Sequence, residues 1–227
     1  MVHPNTLEFP PGSACIHSTC GTKFSYRLWL RITPMGCPEQ TKTPSLTRQA
    51  SSAVLNNTLV IFASDNGGSG PGDNGPLRGA KAQMFEGGIR VPMIARWPGR
   101  IPKGTVSDEF AGTLEFFPTF LAAAAASPPP GVILDGLNML PVLEGKAKSP
   151  RKEFFWQRRG DKAARVGQWK WVESQKGNGL FDLAADLGEK RDLSADKPDV
   201  LRQVKARWAA WRKEMDECEP RGPFRDY

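Results

Sequence analysis

Histidine is nearly missing from this chain: His3 and His17 are its only two, so residues 18–227 hold no imidazole to ligate a metal or shuttle a proton. Cysteine is scarce as well. Cys15, Cys20, Cys37 and Cys218 form no CxxC pair, and no Cys/His cluster has zinc-finger spacing. Three of the four lie in the first 40 residues, so they say little about the redox compartment of the remainder. No run reaches the ~18 uninterrupted apolar residues of a membrane span. The nearest candidate, Leu114–Ala126, contains Glu115 and Pro118 and reads as a buried helix. The N-terminus has neither a basic region nor an apolar core of signal-peptide type, which leaves the compartment open.

What is present is globular in kind: 39% hydrophobic and 24% charged residues are enough to build a core and too little charge for a disordered chain. The net charge of +7 raises the question of a polyanion partner. The basic residues are scattered, however, and mix with acids from Lys146 onward, so they read as a solvated surface and not as a nucleic-acid face. A small anionic substrate would also be favoured by this charge.

The chain divides into unlike parts. Residues 1–55 hold both histidines and three cysteines but no aspartate, and only Phe24–Ile32 has the pattern of a short strand. They are left unassigned, either as a disordered or loosely attached extension or as a wrongly joined segment. From Asn56 the pattern sharpens. Thr58–Ala63 is a continuous β-rich apolar run that suits a strand buried on both faces, as in a parallel sheet. Val91–Trp97 forms a second run, with Pro92 near its start. Thr113–Ala126 is expected to be a helix with Pro118 in its first turn, ended by Ser127-Pro-Pro-Pro-Gly131. Short strands follow at 153–157, 163–166, 168–173 and 180–183, with a tight hairpin at Gly167-Gln168. A helix from Pro198 to Glu217 closes the chain, capped at Asp196 or Lys197. Its apolar stripe of Val200, Val204, Trp208, Trp211 and Met215 is expected to pack on the small sheet. The expected units are therefore 56–145, an α/β portion, and 146–227, a small α+β subdomain.

Asp65 and Asn66 stand just past a hydrophobic strand, where ligands collect in α/β sheets. Two adjacent oxygen-bearing side chains on a glycine-rich loop suit a hard cation such as Ca²⁺ or Mg²⁺. On physical grounds alone an ordinary Asx turn is the better explanation of the pair. Gly67-Gly-Ser-Gly70 lacks the GK[ST] of a phosphate loop.

Taken together, Asn57–Gly68, Asn74-Gly-Pro-Leu-Arg-Gly-Ala-Lys81 and Phe85-Glu-Gly-Gly-Ile-Arg-Val-Pro92 resemble the sulfatase (arylsulfatase-like) family of the alkaline phosphatase superfamily. Glu115–Thr119, Leu134–Pro141, Arg165–Trp171 and Leu180–Leu183 extend the resemblance over residues 56–220, the C-terminal portion of that family's fold. The resemblance implies an α/β fold, with a partial alkaline-phosphatase-like sheet, a small C-terminal antiparallel sheet and a closing helix. It also implies hydrolysis of sulfate esters, with a sulfated small molecule or glycan as partner, in a family usually secreted, periplasmic or lysosomal. Asp65 and Asn66 match two metal ligands to the family's Ca²⁺. Lys81 matches a sulfate-binding lysine, where an ammonium neutralises charge developing as the S–O bond breaks; the alternative is a solvated loop lysine. Arg78, Glu86 and Arg90 match motif positions that are expected to hold the loop.

Family members use a formylglycine made within Cys-x-Pro-x-Arg, and that motif does not occur here: Cys37-Pro38-Glu39 and Cys218-Glu-Pro-Arg221 both miss its spacing. The family's Asp-Asp pair is also missing. No catalytic residue is therefore assigned, and the expectation is a catalytically incompetent fragment with weak Ca²⁺ binding. The alternative is a non-catalytic anion-binding or assembly module. A zinc phosphoesterase of the same superfamily fits poorly for want of histidine. Oligomeric state is left open.

Overall fold

A computed structural model describes residues 27–31, 52–70 and 72–218. His3, His17 and Cys37, with most of the 1–55 segment, lie outside those residues. Two four-stranded sheets organise the chain. The first contains β1 (Arg27–Arg31), β2 (Val60–Ala63), β3 (Arg90–Arg96) and β4 (Val106–Gly112) in the order β2-β3-β1-β4. β1 is parallel to β3, while β2 and β4 are antiparallel to their neighbours.

Alternation in β3 explains its place. Val91, Met93 and Ala95 are buried and face Trp97, Ile101, Leu140 and Leu143, while Pro92 and Arg96 are exposed. Three helical elements flank this sheet: α1 (Ser52–Asn56) precedes β2, α2 (Glu86–Ile89) opens β3, and α3 (Phe116–Ala123) follows β4 after a 3₁₀ turn at Thr113–Glu115. Pro118 falls in the first turn of α3, as its fixed φ and missing N–H require. The helix is not the buried one expected, since Phe117 and Phe120 keep 50% and 45% of their surface open, and it stops at Ala123, short of the expected Ala126. Ala125 takes a left-handed φ of 52°, and the Ala126 N–H returns to the Leu121 carbonyl at 2.8 Å. A short helix, α4 (Leu140–Leu143), completes that layer.

One expectation is corrected. β2 is not buried on both faces, and its partner β3 runs antiparallel. It starts at Val60 and stands at the edge of the described sheet, so Ile61 and Ala63 pack on the core while Val60 and Phe62 keep 48% and 68% of their surface open. A continuous apolar run reports an apolar environment but not which strand lies beside it.

The second sheet is an antiparallel meander of β5 (Glu153–Arg158), β6 (Asp161–Val166), β7 (Trp169–Ser174) and β8 (Gly177–Asp182). Its β6–β7 turn is Gly167-Gln168, with Gly167 at φ 58°. This sheet has no free face. Phe154, Trp156, Ala163, Val172 and Phe181 pack against Met84, Phe85, Ile89 and Phe110 of the first unit. On the other side Ala164, Trp171 and Leu180 meet α5 (Pro198–Glu217) through Val200, Leu201, Val204 and Trp208. Lys197 is the N-cap, without a side-chain capping bond. Trp211 stacks on Phe155 with centroids 5.5 Å apart, and Trp208 donates its indole N–H to the Trp156 carbonyl at 3.1 Å. No helix among the described residues is long and apolar enough to cross a membrane.

Trp208 contributes packing area and a hydrogen bond at once. Trp208→Ala is expected to lower the unfolding free energy of the full chain by about 3 kcal/mol, measured by urea denaturation.

Candidate functional site

β2 hands the chain to a loop whose first act is to continue the ladder: the Ser64 N–H donates to the Pro92 carbonyl at 3.3 Å. The Ser64 hydroxyl then donates to the Asn66 carbonyl at 2.8 Å, closing a turn around Asp65. Asp65 is exposed, whereas Asn66 is 9% exposed. The Asn66 amide donates to the Asp65 carboxylate, and the Asn66 Oδ1 is left buried with no hydrogen-bond partner. Such an orphaned oxygen carries a desolvation penalty of about 1–3 kcal/mol that a cation would remove. A carboxylate and an amide oxygen are donor types that suit a hard cation, and in this arrangement the carboxylate faces the Asn66 amide nitrogen. Among the described residues no group of three or more His, Cys, Asp or Glu is placed to share a metal.

Glycine makes the next step possible. Gly67 donates its N–H to the Gly88 carbonyl at 3.1 Å, and a Cβ on Gly67 would lie 1.7 Å from the Gly87 oxygen. The loop thus rests directly on the α2 turn. Gly68 donates to the Asn74 Oδ1 at 2.7 Å, and the Asn74 amide returns bonds to the Gly68 and Gly79 carbonyls at 3.3 and 3.1 Å. The Lys81 N–H closes the arrangement on the Gly68 carbonyl at 3.0 Å. The backbones bearing Asn66 and Lys81 are therefore one hydrogen bond and two residues apart. Lys81 itself is exposed. Ala82, directly after it, adopts a left-handed φ of 71°.

Beneath these loops lies a buried ion network. Glu86, Lys170 and Glu189 are all fully buried; the Lys170 ammonium sits 3.0 Å from Glu86 Oε1 and 2.7 Å from Glu189 Oε1. Glu189 Oε2 accepts the Glu86 backbone N–H at 2.6 Å, and Arg90 lies 3.4 Å from Glu86 Oε2. Arg78 lies with its guanidinium 3.9 Å over the Phe85 ring and donates to the Glu189 carbonyl at 3.1 Å. Arg78, Glu86 and Arg90 hold the loops in place, as expected from their motif positions. Asn74, Lys170 and Glu189 had no role assigned from the sequence, although the first two lie in the blocks that carry the resemblance. A lysine between two tryptophans in a strand is the one local hint of a buried charge.

Residues 44–126 match the sulfatase family model. The chain is 40% identical over 161 residues to arylsulfatase A of Homo sapiens, covering 65% of this chain and 31% of that protein. To N-acetylgalactosamine-6-sulfatase of Canis lupus familiaris it is 41% identical over 134 residues, covering 53% and 25%. Among solved structures, that of Ps i-CgsB superposes with a TM-score of 0.63 at 34% identity, covering 69% of this chain and 37% of the other. These matches support a sulfatase family member of the alkaline phosphatase superfamily. The chain spans about a third or less of the length of these curated relatives.

Burial raises the Glu189 carboxyl above its ordinary 4.5, opposed by Lys170 and reinforced by the neighbouring Glu86 charge. A raised carboxyl holds its proton longer in the folded chain than in the unfolded one. Its stabilising contribution is complete below the ordinary value and is lost as pH rises through the folded one. Glu189→Gln is expected to remove that part of the decline. Unfolding free energies of both chains measured upward from pH 4.5 check it.

Proposed function

We propose that this chain carries the cation- and sulfate-binding part of a sulfate-ester hydrolase site. In this reading Asp65 and Asn66 supply two oxygens to Ca²⁺, and Lys81 contacts the sulfate group. The observation that carries it is the buried, partnerless Asn66 Oδ1 beside an exposed carboxylate, on a loop tied to the Lys81 backbone. A bound Ca²⁺ would supply positive charge next to the ester oxygens. The chain's own groups do the rest: Lys81 places an ammonium on the sulfate, and the Gly67–Gly88 and Gly68–Asn74 bonds hold both loops to one shape before ligand arrives.

The relatives support a substrate class. One is named N-acetylgalactosamine-6-sulfatase, and Ps i-CgsB is solved in complex with k-i-k-neocarrahexaose. A sulfated glycan or sulfated small molecule is accordingly the proposed ligand. We take residues 56–145 as the portion bearing the site and 146–227 as a subdomain that braces it. This division is supported by the two sheets and their separate hydrogen-bond ladders.

Because the 227 residues contain no Cys-x-Pro-x-Arg, the proposal includes binding without turnover by this chain alone. An anion-binding module is the second reading, and the exposed Lys81 favours it as far as it goes. The two differ in the cation. Calorimetric titration is expected to give Ca²⁺ binding on the order of millimolar, lost in Asp65→Ala, with sulfate binding strengthened by Ca²⁺ and weakened about tenfold in Lys81→Ala. Sulfate binding indifferent to Ca²⁺ and to Asp65→Ala would favour the module. Hydrolysis of an aryl sulfate at ~1 s⁻¹ would contradict the absence of a nucleophile.

A further inference from the structure

Glu189 is held at a left-handed φ of 53°, a conformation that costs a non-glycine residue about 1 kcal/mol, and the neighbours it meets there explain its retention. In that conformation its carbonyl receives Arg78 at 3.1 Å while its carboxylate receives both Lys170 at 2.7 Å and the Glu86 N–H at 2.6 Å. One residue of the C-terminal subdomain thus grips both ends of the 78–86 segment, in whose middle stands Lys81.

The grip continues to the other loop. Gly87 donates to the Arg78 carbonyl at 2.6 Å, and a Cβ on Gly87 would come within 2.3 Å of the Gly79 oxygen, so this turn and the 78–79 backbone are in direct contact. The Gly88 carbonyl accepts Gly67, the residue after Asn66. Lys170 is the charge on which this depends. Without it Glu86 and Glu189 would be two buried carboxylates that have lost the ammonium between them. Like charges at that separation repel strongly when water is excluded.

We infer that Lys170 and Glu189 are positioning residues for the candidate site: the C-terminal sheet, through this clamp, sets the relative placement of the Asp65–Asn66 loop and Lys81. This rests on the role proposed above for those three residues. It assigns to the subdomain a task beyond burying apolar surface, since the same sheet also packs Phe181 and Val172 on Phe85 and Ile89.

The test separates positioning from general stability. Hydrogen exchange is measured on the full chain at the amides of Gly67, Lys81 and Gly87, whose acceptors lie along the path. Lys170→Met is expected to speed these amides at least tenfold. Val172→Ala, a fully buried change in the same strand but outside the clamp, is the reference, compared at denaturant concentrations that equalise global stability. At equal stability it is expected to leave them within about threefold of wild type. Should Lys170→Met fail to fold, Glu189→Gln preserves volume and removes the charge, and a severalfold increase at the same amides is expected. Equal acceleration by Val172→Ala, or no acceleration by either clamp variant, overturns the inference. Titration of wild type with CaCl₂ and sodium sulfate forms a separate arm. Accelerated exchange with no binding in wild type would retain the clamp as a loop-holding device and reject its role toward a ligand. Binding weakened at least tenfold in the clamp variant supports both.

Discussion

Lys170 has no water to turn to. Its ammonium is enclosed between two carboxylates with all three side chains fully buried, and taking such charges out of water costs several kcal/mol each unless every one is compensated. Compensation here requires the α2 turn, the strand β7 and the segment after β8 to meet in one arrangement only. A buried ion group of this kind is a weak source of net stability and a strong constraint on geometry, because removing one member leaves an uncompensated charge. The placement of the two loops above it depends on that constraint.

The loops supply little holding power of their own. Asp65, Lys81 and most of residues 69–78 are exposed, and they bury few apolar side chains. What fixes them is hydrogen bonding at the backbone: Gly67 on Gly88, Gly68 on the Asn74 side chain, Lys81 on Gly68. Contacts that close exist only where Cβ is missing, which is why Gly67 and Gly87 cannot be replaced by alanine without moving the chain. Local bonds of this strength, each worth about 1 kcal/mol, are adequate only on a rigid floor. The apolar cluster of Phe85, Ile89, Phe154 and Phe181, together with the ion group, is that floor. The closing helix seals the far side of the small sheet with Val204 and Trp208, so that the sheet carrying Lys170 is braced on both faces.

Much of this was legible in the residues. The bounds of the last helix follow from Pro198 at its start and an apolar stripe at helical spacing, and they agree with α5. The Gly167-Gln168 hairpin and the position of Pro118 follow from local backbone chemistry in the same way. Neighbour relations were not legible. Thr58–Ala63 gave no sign of standing at an edge, since an apolar run looks alike beside one strand or two. The contacts of Lys170 with Glu86 and of Glu189 with the Glu86 N–H span 84 and 103 residues of sequence, beyond any local pattern. The candidate ligands Asp65, Asn66 and Lys81 came from family resemblance, and physical reasoning alone favoured a turn for Asp65-Asn66. The orphaned Asn66 oxygen is the feature that only three dimensions supply.

The central claim is that Asp65, Asn66 and Lys81 form one site for a cation and a sulfate group. A crystal structure of the full chain grown with Ca²⁺ and sulfate tests it most directly. The account predicts a cation held by the Asp65 carboxylate and the Asn66 Oδ1, with a sulfate oxygen in hydrogen-bond reach of the Lys81 ammonium. All three side chains should then fall within about 10 Å, the span that one small anion and its cation bridge. A cation bound elsewhere, or a Lys81 ammonium turned away from Asp65 with sulfate present, would contradict it.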